Sequence, residues 1–148
     1  MDAANAEALP VAPVRRIDSV TYSAKLQGSQ NAREHWRVRA KRVKSERWLA
    51  ALMCRKLDRP EAWPVLVVLT RIGPRKLDSD NVQGALKAVR DGVADWLGVN
   101  DGDESKVLWN YGQLTARQAG AAGTYGVRIE VLPWTEPEKL KTWDEVLP

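Results

Sequence analysis

The run from Pro64 to Ile72 reads Pro-Val-Leu-Val-Val-Leu-Thr-Arg-Ile and never alternates apolar with polar residues. A strand with one wet face alternates; a Val-rich run that does not predicts a central strand buried on both faces. Such a strand needs sheet neighbours and helices to cover it. Residues 80–97 supply the clearest helix. Val82, Ala85, Leu86, Val89, Val93, Trp96 and Leu97 fall on one face at about 100° per residue. Asp80, Gly84, Lys87 and Asp91 fall on the opposite face, and Gly98 stands where a helix-terminating glycine belongs. Gly84 in mid-helix suggests a close backbone approach there.

The remaining elements are read from period and punctuation. Residues 20–26 alternate Val20, Tyr22, Ala24 and Leu26 with Thr21, Ser23 and Lys25, which predicts a half-buried strand. Residues 32–57 lack Gly and Pro and predict a long helix, which Asn31 can cap. Trp36, Ala40 and Val43 mark one stripe of it; Leu49, Leu52, Met53 and Leu57 continue an apolar face, with Cys54 in the core. Trp48, Trp63 and Trp109 read most simply as packing residues. Two more strands fit residues 106–114 and 124–132, joined as a hairpin across an Ala/Gly-rich link at 117–123. The order β-α-β-α-β-β predicts a mixed α/β (α+β) sheet with two main helices. One domain is expected over residues 14–133, with tails at 1–13 and 134–148.

Composition removes several chemistries. The 148 residues hold one Cys (Cys54) and one His (His35), so neither an internal disulfide nor a Cys/His zinc site can form. No phosphate-binding glycine loop is present, which argues against a nucleotide cofactor. No apolar run approaches the roughly 20 residues that cross a bilayer. Met1-Asp2-Ala3-Ala4-Asn5 is acidic where a secretory signal would be basic, so no such signal is expected. A cytoplasmic protein without a membrane partner is expected, whose catalysis would run on Asp, Glu and Lys.

The acids cluster. Asp78 and Asp80 are two apart in an extended link, where such residues point the same way. Asp101 and Asp103 repeat that spacing beyond the helix. The helix between is roughly 27 Å long, so the pairs meet only if the loop folds back. Carboxylates that do meet repel unless a cation neutralises them, and oxygen-only ligands suit Mg²⁺. Lys87, on the Asp80 face, could stabilise charge developing on a phosphate. From spacing alone, turn and cap roles are the default for Asp78 and Asp80, and a turn for Asp101-Gly102-Asp103. A calcium loop fails, since the sixth position from Asp101 is Lys106 and the twelfth is Gly112.

The cations cluster as well. Residues 33–59 hold ten Lys or Arg against three acids, a balance of +7; with +4 overall, the rest of the chain carries −3. Arg33, His35, Arg37, Arg39, Lys41, Arg42, Lys44 and Arg47, with Arg75 and Lys76 in the later link, are the candidate DNA contacts. The bland alternative is a solvated helix face.

Taken together, Arg75-Lys-Leu-Asp78-Ser-Asp80-Asn81, then Lys87-Ala88, Asp91-Gly92 and Trp96-Leu97-Gly98-Val99-Asn100-Asp101 resemble the RusA-type Holliday junction resolvases of phages and prophages. Asn31, Arg33, His35-Trp36 and Arg39 resemble the basic helix start of the phage-type branch. The resemblance spans roughly residues 17–132. It implies a RusA-like fold and a homodimeric, Mg²⁺-dependent endodeoxyribonuclease, bacterial or phage-encoded, that nicks four-way or branched DNA in recombination and repair. It implies catalytic roles for Asp78, Asp80, Asp101 and Lys87, with Asp103 and then Glu104 as competing loop ligands. The interval from Asp80 to Lys87 is longer than in the best-known member, although four and seven residues share a helical face. Three alternatives stand beside it: a DNA-binding module that does not cut, a flap or fork nuclease on the same fold, and a structural dimer whose acids are caps and turns.

Overall fold

The computed structural model describes residues 18–26, 34–120 and 125–134. The expected tail at 1–13, all but the first residue of the tail at 134–148, the Asn31 cap and Arg33 lie outside the described residues. The elements come in the expected order: β1 (Ser19–Ser23), α1 (Trp36–Cys54), β2 (Val65–Gly73), α2 (Ser79–Leu97), β3 (Val107–Thr115) and β4 (Gly126–Pro133). They form a mixed α+β fold with one four-stranded sheet, ordered β1-β4-β2-β3.

The expected hairpin between the last two strands does not form. β3 pairs only with β2, in parallel, from Val65↔Val107 to Gly73↔Thr115. β4 instead lies between β1 and β2, antiparallel to both. Its alternation explains the position: Val127, Ile129 and Val131 are all buried, so the strand belongs inside the sheet rather than at an edge. β2 is internal as expected. Val65, Val67 and Leu69 are fully covered, whereas Leu66 and Val68 on the other face are only half-buried.

Both helices lie on one face of the sheet, α1 against β1 and α2 against β2 and β3. The apolar face of α2 is buried as its spacing requires, and Gly98 closes the helix in the left-handed conformation at φ 72°. A second side of α2, along Ala88 and Gly92, is also buried, because α1 packs there. A close backbone approach falls at Gly92. A Cβ on Gly92 would stand 2.2 Å from the Arg47 carbonyl oxygen and 2.8 Å from the Ala50 methyl.

α1 departs most from expectation. Only Ala50 and Cys54 are buried on it, and burial pushes the Cys54 thiol up to about 12. Trp36 is 68% exposed and Ala40 is exposed, so of the first stripe only Val43 turns toward α2, half-buried. Two ion-paired groups fix the helix. Arg42 meets Glu34 and Glu46; Arg47 grips Asp95 on α2 through two bonds of 2.6 and 2.7 Å. Burial pushes the Glu46 carboxyl up, against the pull of Arg42.

This packing has two measurable outcomes. Gly92→Ala should destabilise the protein by about 2 kcal/mol or more, read by urea denaturation, because backbone rather than a pliable side chain is in the way. The Arg47 hydrogen bonds hold the Asp95 carboxyl below its ordinary value of 3.8. The pair's contribution is therefore fully present above that pH and lost as pH falls through the lower folded value. Both groups are about half exposed, so solvent limits it to about 1 kcal/mol or less. Asp95→Asn should flatten the acid limb of stability against pH by that amount.

Candidate functional site

The link from β2 to α2 is pinned from below by two polar side chains. Gln113 on β3 clamps Leu77 twice, accepting from its N–H at 2.8 Å and donating to its carbonyl at 2.7 Å. Arg71, beside Gln113 in the sheet register, donates through Nη1 to the Arg75 carbonyl at 2.9 Å. Sequence reasoning passed over both. Their signal was a charge and an amide at apolar-facing positions of strands, which a packed core does not tolerate without a task. Arg71 is only 6% exposed, and its Nε has no partner among the described residues.

The task is placing Asp78. It is the N-cap of α2, two residues earlier than the Asp80 cap expected from spacing, yet its side chain makes no capping bond. Asp80 sits in the first turn. Both are exposed or half-buried at most, and neither carboxylate has a hydrogen bond or ion pair among the described residues. They stand beyond the carboxyl ends of two parallel strands, where open α/β sheets place ligand sites. The free N–H groups and dipole of the α2 amino end also favour negative charge. Asn81, next in the chain, keeps a buried Oδ1 without a hydrogen-bond partner.

The basic helix delivers its charge to the same end. Residue numbers rise together along the two helices. Arg39, Val43 and Glu46 share a cleft with Gly84, Lys87 and Asp91; Arg47 meets Gly92 and Asp95; Arg55 shares a groove with Trp96. The helices therefore run parallel, with the start of α1 near that of α2. His35 caps α1, its Nδ1 accepting from the Arg37 N–H at 3.3 Å, and its ring stacks on Trp36. Arg37 lies over Trp36 at 5.1 Å. Arg37, Arg39, Lys41, Lys44, Arg75 and Lys76 are exposed. Arg42 and Arg47 are committed to carboxylates of the fold and drop out of the set of free cations. Lys87 is exposed in the cleft, seven residues and about 10 Å along the helix from Asp80.

The loop acids are not brought to Asp78 and Asp80. Arg90 donates to the Asp101 carboxylate at 3.0 Å, to the Asp101 carbonyl at 3.0 Å and to the Tyr111 hydroxyl at 2.7 Å. Trp109 donates to the same carbonyl at 2.7 Å. The loop thus folds back only as far as Arg90, ten residues and about 15 Å along α2 from Asp80. Asp103 accepts from the Ser105 N–H and hydroxyl, which hold its carboxyl below the usual range. Within one chain, Asp101 and Asp103 are loop-holding residues rather than partners of the first pair. Glu104 is exposed in the same turn. Among the described residues no group of three or more His, Cys, Asp or Glu could hold a metal, and no helix is long and apolar enough to cross a membrane.

An uncharacterized protein of Xylella fastidiosa is 34% identical over 105 residues, covering 64% of this chain and 67% of that one. The two chains belong to one family. No family model matches the chain, and no solved structure matches it. The relationship groups two sequences without naming a reaction.

The two acidic pairs differ in what their removal should cost. Asp101→Ala strips Arg90 of its anion and should destabilise by about 1 kcal/mol. Asp78→Asn and Asp80→Asn should stay within about 0.5 kcal/mol of wild type, since nothing in the fold leans on either carboxylate. Urea midpoints of the three variants measure this directly.

Proposed function

We propose that this chain is a Mg²⁺-dependent, structure-specific endodeoxyribonuclease that nicks branched DNA, four-way junctions foremost. One observation carries the reading. Two carboxylates with no hydrogen bond or ion pair among the described residues follow the carboxyl end of parallel strands, at the end of α2 nearest the amino half of a basic helix that packs beside Gly84 and Lys87. The resemblance to RusA-type resolvases singles out the same Asp78, Asp80 and Lys87, and action on DNA would place the protein in the cytoplasm.

The donors fit a hard divalent cation. Asp78, Asp80 and the partnerless Asn81 Oδ1 are oxygens only. Mg²⁺ takes one or two carboxylates, keeps waters and completes its shell on substrate phosphate, so two acids per chain suffice. When bound, it would supply Lewis-acid stabilisation of the phosphate and an acidified water. The chain's own groups do the rest. Arg37, Arg39, Arg75 and Lys76 hold the flanking phosphates, with the salt dependence that counterion release brings. Lys87 places its ammonium where charge grows as water oxygen bonds to phosphorus and the 3′ oxygen departs. A two-fold homodimer would match two equivalent strands.

A second reading has its own support. One chain gathers two carboxylates rather than three, with Asp101 bound to Arg90. That suits a module which recognises branched DNA without cutting it. The deciding experiment is nicking of a synthetic four-way junction, a flap, a fork and a linear duplex, with Mg²⁺ and with EDTA. Paired, Mg²⁺-dependent nicks confined to the junction, lost in Asp80→Asn, are expected. Flap or fork cleavage instead would keep the nuclease and change its substrate. Tight junction binding by both proteins, with no cut in any divalent metal, would leave the binding module.

A further inference from the structure

The tryptophans expected to pack do not all pack. Trp48 is 64% exposed in the middle of an ordered helix. A tryptophan can bury 150–250 Å², so leaving most of one in water forgoes more apolar burial than any other side chain would. Trp48, Leu52 and Arg55 recur at helical spacing on one face of α1 and the residue that ends it. They face the end of α2 across a groove of about 520 Å³, whose other walls are Asp95, Trp96 and Arg59.

Charge distinguishes the groove. Its one acid, Asp95, is committed to Arg47. Arg55 has no ion pair or hydrogen bond among the described residues beyond its helix-capping N–H, and Arg59 lies over the Trp96 ring at 5.7 Å. Lys44 and Lys56 are exposed on the same helix and the residues just after it. An open aromatic face with Arg55 and Arg59 along its rim matches a ligand that is flat, apolar and anionic at once. A nucleotide strand has that chemistry. A duplex hides its base faces, so the strand must be unpaired.

We infer that the groove between the second half of α1 and the end of α2 binds unpaired nucleotides, with a base stacked on Trp48 and phosphates on Arg55 and Arg59. The site is separate from the acids: Trp96 lies sixteen residues, about 24 Å along α2, from Asp80. The inference deepens the reading of the chain as a protein acting on branched DNA and rests on it. It adds a second contact, away from the branch point, for a single-stranded segment extending from the branched DNA.

The test measures fluorescence anisotropy of labelled oligothymidylate and of an abasic chain of equal length, against the full chain and Trp48→Ala. Because Trp48 is exposed, the variant should fold as wild type does. Wild type should bind oligothymidylate about tenfold more tightly than Trp48→Ala, while the two bind the abasic chain equally. Arg55→Ala and Arg59→Ala should weaken both ligands and lower the salt slope. Equal oligothymidylate affinity for wild type and Trp48→Ala overturns the inference. Loss of self-association in Trp48→Ala, with unchanged oligonucleotide binding, also overturns it and makes the groove a contact between copies. Junction nicking is scored in parallel. Nicking without Trp48-dependent strand binding sinks this site alone; strand binding without nicking sinks the endonuclease reading alone.

Discussion

The contact that the candidate site depends on is backbone against backbone at Gly92. With no Cβ there, the carbonyl of Arg47 comes to rest on α2 itself. The two helices then lie parallel and close enough for Arg47 to take both oxygens of Asp95. This fixes the level at which α1 starts. Its second turn, with Arg39, stands beside Gly84 and Lys87, toward the end of α2 that carries Asp78 and Asp80. A helix of strong positive charge is common; one indexed by a glycine to sit next to two idle carboxylates is a more specific arrangement.

Most acids of the described chain are occupied. Glu34 and Glu46 neutralise Arg42, Asp95 holds Arg47, Asp101 holds Arg90 and Asp103 closes a turn. Asp78 and Asp80, like Asp91 and Glu104, have no such tie among the described residues, and only Asp78 and Asp80 sit at the amino end of α2. The link that carries them is itself held firmly, by Gln113 and Arg71, in a place that the core alone would not require. Rigid support under unspent charge is what a site needs for preorganisation.

Periodicity makes α2, its glycine terminator and all four strands legible to within a few residues. It does so because their burial is one-sided or complete, and either pattern shows in a single line of sequence. α1 misleads for the opposite reason. Its buried surface is a narrow stripe at Ala50 and Cys54, with Leu49 and Met53 packed at its edge, while its largest apolar residues, Trp36 and Trp48, are outside. Size and hydrophobicity then point the wrong way. Asp78 and Asp80 are legible from spacing, but the separation of Asp101 is not, since it turns on whether Arg90 captures the loop partway. Gly92 is hidden too, because a glycine is meaningful only once its neighbour across the interface is known.

The position of β4 has a consequence for how the chain is assembled. Among the described residues β1 joins the sheet through β4 alone, and β4 is the last of their strands. The unit of β2, α2 and β3 closes over short sequence distances and already contains Asp78, Asp80, Arg71 and Gln113. The first strand has no edge to join until residues 126–130 exist. A growing chain can therefore complete the acidic end of the molecule, and dock the basic helix on α2 at Gly92, before β1 finds its edge.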